Sequence, residues 1–184
     1  MSPERICSAV VYIAEAITAG LYFKVFFAPK KTAKVRVTLL TIVYFLLWLS
    51  FQLGNFFVNA LFFFAGNLVL ILLCYATGKP AAILHAAFMT LVMVLTEVIV
   101  MVLLSSIFGD FGAFTYNLIA QIVTSVLSKI LYFSVILAFS RIYGSRRKAK
   151  EEPYFVLLIC LLPAASMVIS IMIMYVGVTV PLTG

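Results

Sequence analysis

The chain has 184 residues, 65% of them hydrophobic and only 10% charged, with 17 Phe and a formal net charge of +7. A soluble domain of this length needs more charge to cover its surface, so a water-soluble enzyme or binding module is excluded. Apolar runs of about 20 residues recur, enough to cross a hydrocarbon core roughly 30 Å thick, and alternating barrel-type strands are absent. The composition therefore predicts an all-α, polytopic integral membrane protein with a single membrane domain over residues 1–184.

Six transmembrane helices are predicted in chain order, at about 6–28, 37–53, 56–76, 81–108, 116–141 and 154–177. The first carries Ser8, Tyr12, Glu15, Ala19 and Tyr22 on one face. Its apolar run is too long for a cleavable signal and is interrupted by Glu15. APKKTAKVR leads to the second span, which opens the aromatic set Phe45, Trp48, Phe51, Phe56, Phe57 and Phe62 to Phe64 around the LGN turn. An interfacial belt explains that set, and a docking surface for an external ligand is the sharper reading. The third span aligns Asn55, Asn59, Gly66 and Asn67, and TGKP closes it.

In the fourth span Ala86, Thr90, Glu97 and Ser105 line up, and Glu97 is the sole formal charge between Lys79 and Asp110. His85, about one turn inside the end of this span, reads as an interfacial histidine with no partner. GDFGA separates it from the fifth span, which has the cleanest polar stripe: Asn117, Gln121, Ser125, Ser128 and Tyr132, with Lys129 at its edge. GSRRKAKEEP follows, and Pro163 should kink the sixth span.

The basic residues set an orientation. Lys30, Lys31, Lys34, Arg36, Lys79, Arg141, Arg146, Arg147, Lys148 and Lys150 lie in or beside the first, third and fifth connections. The second and fourth carry no Lys or Arg. The positive-inside rule then puts the basic loops in the cytoplasm and both termini outside, in the cell membrane, with Arg5 alone against it. Lys24 is expected to snorkel to the headgroups. Charge in short loops argues for orientation rather than for a nucleic-acid partner.

Charges in mid-membrane demand partners, since a lone one costs roughly 3 kcal/mol on insertion scales. Counted from the outer boundary at about 1.5 Å per residue, Glu15, Glu97 and Lys129 lie at depths of about 14, 16 and 20 Å, so the three could meet. Three readings of Glu97 remain: pairing with Lys129 or a neutral hydrogen bond that joins helices, a ligand or gating role, and a proton or ion relay. The sequence contains no HExxH, GxSxG or P-loop, and Cys7, Cys74 and Cys160 stand at no metal or disulfide spacing. Neither an enzyme nor a cofactor or metal site is expected. A membrane cysteine peptidase would need a thiol seven residues after its histidine, where His85 is followed by Val92.

KPAAILHAAFMTLVMVLTEVIVMVLLSSIFG and SKILYFSVILAFSRIYGSRRKAKEEPYFVLLICLLPAASMVI resemble the membrane sensor region of GHKL-type histidine kinases. These include accessory-gene-regulator and competence-type receptors for secreted quorum-sensing peptides. The likeness rests on Glu97 late in a long span, a lysine-bearing fifth span ending in basic residues, and Leu162, Pro163 and Ser166 in the sixth. It implies a two-component sensor binding an extracellular peptide, a homodimer, and continuation through a seventh span into a kinase domain. By that resemblance this chain is a sensor without catalysis, since His85 lies in the membrane. The polar residues of the outer helix halves, Asn55, Asn59, Asn117 and Gln121, are the candidate ligand contacts, and Glu15, Glu97 and Lys129 the candidate switch. The alternative is the substrate-binding subunit of an energy-coupling-factor transporter, similar in length and in the alanines Ala9, Ala14, Ala16 and Ala19 of the first span. That family's N-terminus lies in the cytoplasm, against the loop charges here. A third reading is a structural membrane protein without a ligand.

Overall fold

The computed structural model describes residues 3–52, 55–108 and 118–146. They form five long helices: α1 (Pro3–Phe26), α2 (Ala33–Phe51), α3 (Phe56–Cys74), α4 (Lys79–Phe108) and α5 (Leu118–Arg146). A pair of two-residue strands, β1 (Ala28–Pro29) and β2 (Tyr75–Ala76), is the rest of the regular structure described. All five helices are long and apolar enough to cross a membrane. The molecule is thus an all-α, multi-pass membrane protein as far as it is described, and the sixth span with Pro163 lies outside the described residues.

Local chemistry sets the boundaries. Asn55 caps α3, its side-chain oxygen accepting from the Val58 amide at 3.1 Å, which satisfies one of the donors a helix start leaves open. Pro80 falls in the first turn of α4, where its missing N–H removes nothing from the helical ladder. α1 stops at Phe26, and the chain turns at once into β1. Residues 27 and 28, expected in the first span, and 75 and 76, expected in the third, instead leave the helices. They approach each other, Ala28 pairing with Ala76 and Pro29 with Tyr75. The amides of Lys30 and Lys31 both donate to the Cys74 carbonyl, at 2.8 and 3.3 Å. Arg36 places its guanidinium 5.7 Å from the centre of the Tyr75 ring, within cation–π range. The first and third connections therefore lie at the same end of the bundle.

The helices close into a ring in which α1 packs on α2, α2 on α3, α3 on α4, α4 on α5, and α5 back on α1. Each presents one face inward and another to its surroundings. In α1, Tyr12, Glu15, Ala19, Tyr22 and Phe23 are buried while Val10, Ile13, Ile17 and Leu21 are exposed, the two sets following the helical repeat. Exposed apolar side chains on α2 to α5, among them Phe45, Leu61, Leu103 and Ile130, form the surface that lipid covers. The interior is closely packed, with Phe63, Ile71, Ala82, Ala86, Met89, Met93, Tyr132 and Ile136 all buried. The tightest approach is at Gly66, where an added Cβ would stand 2.9 Å from Val43 Cγ1.

Candidate functional site

The site is built from the inward face of α1 and the faces that α4 and α5 turn toward it. Glu15 sits midway along α1, one turn after Tyr12, and its side chain is only 2% exposed. Lys129 of α5 brings its Nζ to 2.7 Å from Glu15 Oε1. The same ammonium donates a hydrogen bond to Glu97 Oε1 of α4. Exposure grades across the triad: Glu15 is enclosed, Lys129 is 11% exposed and Glu97 25%. Two carboxylates thus flank one ammonium, and α1 meets the consecutive helices α4 and α5 at a single nitrogen.

Glu97 accepts a hydrogen bond from Lys129, and Glu15 Oε1 stands 2.7 Å from the same ammonium. One turn beyond Lys129 on α5, the Tyr132 hydroxyl is buried without a hydrogen-bond partner. Its ring packs edge-on against Phe63 at 6.3 Å.

Three tyrosine hydroxyls tie the surrounding helices. Tyr12 of α1 donates to Asn59 Oδ1 of α3 at 2.8 Å, spanning the ring. Tyr44 of α2 donates to Asn67 Oδ1 of α3 at 3.1 Å, and the Asn67 amide donates back to the Phe63 carbonyl at 2.9 Å. Tyr22 of α1 shares a 2.7 Å hydrogen bond with His85 Nδ1 of α4. His85 is 2% exposed and lies among Phe26, Phe27 and Tyr22, with ring centres 4.7 to 5.6 Å away. The expectation of an interfacial histidine without a partner is corrected: the Tyr22 hydroxyl satisfies it, so it can be enclosed by aromatic rings rather than left at the headgroups.

The structure brings together Glu15, Glu97 and Lys129, and holds Asn59 close to them through Tyr12. Asn55 is elsewhere, exposed at the start of α3 and occupied as its cap. Gln121 falls in the first turn of α5, its side chain outside the described residues, and Asn117 and Pro163 lie outside them too. In the aromatic set, Phe63 is buried in the core, Phe45 and Phe57 are exposed, and Trp48 donates from its ring nitrogen to Ser8 Oγ at 3.0 Å. Lys24 is exposed. Cys74 is buried and Cys7 half-buried, and neither is bonded to another cysteine; Cys160 lies outside the described residues. Among the described residues no group of three or more His, Cys, Asp or Glu could hold a metal ion.

Sequence reasoning missed Tyr44 and its bond to Asn67, and missed Tyr22 as the partner of His85. The available signal was register: Tyr22 shares the Glu15 face, and His85 stands one residue from Ala86, which begins the inward stripe of α4. Compared with family models, with curated proteins and with solved structures, the chain matches none.

Proposed function

We propose that this chain is the transmembrane sensor domain of a two-component signalling histidine kinase, reading an extracellular peptide through the outer halves of its helices. The observation that carries the reading is the Glu15–Lys129–Glu97 triad, which ties α1, α4 and α5 inside otherwise apolar spans. A receptor needs a linked element with more than one packing arrangement, and a ligand shifts such an element only by binding one arrangement better than another. Three helices sharing one ammonium supply that linkage, because moving any of them changes the partners of the other two. The resemblance of the fourth to sixth spans to GHKL-type sensors supports the same reading and brings the homodimer with it.

The ligand contacts are Asn59, Gln121 and Asn117, with Asn55 at the rim. Asn59 connects this outer surface to the interior, since its carbonyl oxygen is held by Tyr12, one turn from Glu15. Small, mostly apolar peptides suit a surface of aromatic rings with a few amides. The test is to reconstitute the chain in lipid nanodiscs and titrate secreted peptides from the source organism. Saturable binding, weakened about tenfold by Asn59→Leu or Gln121→Leu and less by Tyr12→Phe, supports the sensor. Uptake of a vitamin-like solute with no peptide binding overturns it in favour of the transporter subunit.

A further inference from the structure

Between Glu15 and Glu97 the sequence holds no acidic residue, yet it holds Lys24, Lys30, Lys31, Lys34, Arg36 and Lys79. All six fall at the end of the bundle where β1 meets β2. The ion pairs among the described residues are those of Lys129, in mid-helix, so these cations stand without counter-charge. The backbone gathers four of them around the β1–β2 pair. Lys30 and Lys31 are held to the Cys74 carbonyl by their amides, at 2.8 and 3.3 Å. Lys79 follows β2 by three residues and opens α4. Arg36 sets its guanidinium 5.7 Å from the centre of the ring of Tyr75, which belongs to β2. The lysines are exposed and Arg36 is half-buried. A second observation points to an anion independently. Arg36 Nε is buried and no acceptor in the protein reaches it, although buried donors are ordinarily satisfied. The field is not offset by the helix starts either. Thr32 makes no side-chain cap, and the first turns of α2 and α4 hold no acid.

We propose that Arg36, with Lys30, Lys31 and Lys79 around it, forms a headgroup site for an anionic phospholipid. Charge complementarity sets the sign of the ligand. The guanidinium sets its shape, because Nε and one terminal nitrogen present two parallel donors that match two phosphate oxygens. The lysines add point charges around the same phosphate. Exposed Val35, Val37, Leu72 and Leu73 lie just inside this end, an apolar surface that suits acyl chains and that a soluble anion would leave unused. With the basic loops in the cytoplasm, this end meets the leaflet in which anionic lipid gathers. A seated headgroup bridges the first and third connections across the strand pair, so it favours the closed ring. The inference goes beyond the sensor reading and rests only on the multi-pass fold: a lipid site serves a receptor or a transporter alike.

The experiment places the full chain in nanodiscs of phosphatidylcholine in which phosphatidylglycerol is substituted stepwise at constant ionic strength. Nanodiscs expose both faces of the bilayer, so the result does not depend on orientation. Thermal unfolding is read at each composition, and lipid retained by the protein is counted by native mass spectrometry. The expected result is a rise in Tm that saturates with phosphatidylglycerol, together with one retained anionic lipid. Arg36→Gln should weaken the apparent affinity about tenfold, and Arg36→Lys should recover only part of it. Lys30→Gln should weaken it about fivefold, as should Lys31→Gln. These two exposed lysines keep the test decisive if Arg36→Gln does not fold. Arg141→Gln removes one exposed charge from α5, outside the strand pair, and should leave the dependence unchanged. Equal Tm and retention in the two lipids would overturn the proposal. So would an equal loss in Arg141→Gln, which would show a diffuse field instead of a site. Saturation by inorganic phosphate in pure phosphatidylcholine would assign the site to a soluble anion and overturn the lipid as its occupant.

Discussion

Lys129 holds two acids from two different helices, and the consequences of removing each member differ. Taking away the ammonium leaves two carboxylates facing one another in a low-dielectric interior, whereas taking away one acid leaves a balanced pair. Lys129→Met should therefore cost about 3 kcal/mol, at the lower end for breaking a buried pair because Glu97 keeps some exposure. Glu97→Gln should cost about 1 kcal/mol. The double variant should cost less than the sum, measured by denaturant unfolding in detergent. Strict additivity would separate the two residues. Tyr22→Phe is the parallel test at His85: it strips the 2.7 Å bond from an enclosed imidazole, and should destabilise by about 1–2 kcal/mol. These contacts were not equally legible. A charge in an apolar run announces that it needs a counter-charge, so Glu97 and Lys129 could be matched by depth alone. A tyrosine makes no such demand, because its ring is content in lipid, at an interface or in a core. Tyr44 therefore gave no hint of Asn67, and Tyr22 pointed toward His85 only through helical register.

Among the elements, α2 and α3 depend on a single missing side chain. Gly66 lets Val43 and Leu47 approach the α3 backbone, and the Tyr44–Asn67 hydrogen bond crosses the same interface. Gly66→Ala should force the helices apart at a cost of about 1–3 kcal/mol, seen as a lowered unfolding midpoint, and Val43→Ala should restore part of it by removing the obstructing methyl. The fate of α2 to α5 in a membrane follows from their composition, and the spans could be placed to within a few residues. Their ends were harder to read. α1 and α3 were both expected to run two residues further, and both give way to the β1–β2 pair. That pairing joins segments from different connections, and nothing local to either announces it.

For the whole molecule, the ring fixes what the loop charges leave relative. The β1–β2 pair holds the first and third connections together, so Lys31 and Lys79 share a side whichever way the protein is inserted. With the basic loops in the cytoplasm, single cysteines at positions 31, 79 and 148, in a background lacking the native three, should escape an impermeant thiol reagent applied to intact cells. Cysteines at positions 54 and 112 should react. Labelling at 148 without labelling at 112 would reverse the orientation and favour the transporter reading. Unequal labelling of 31 and 79 would contradict the pairing itself.

The closure of α1 against α5 also bears on how the protein is made. Translation delivers Glu15 first, and Lys129 roughly a hundred residues later, a delay of roughly ten seconds at about 5–20 residues per second. Glu97 emerges in between, still 32 residues ahead of the lysine. Until the fifth span arrives, the nascent chain holds two acids in or near the bilayer and no base to meet them. The first helix therefore cannot settle in its final place when it is inserted. It waits for α5, and the described ring closes only when its first and last helices meet.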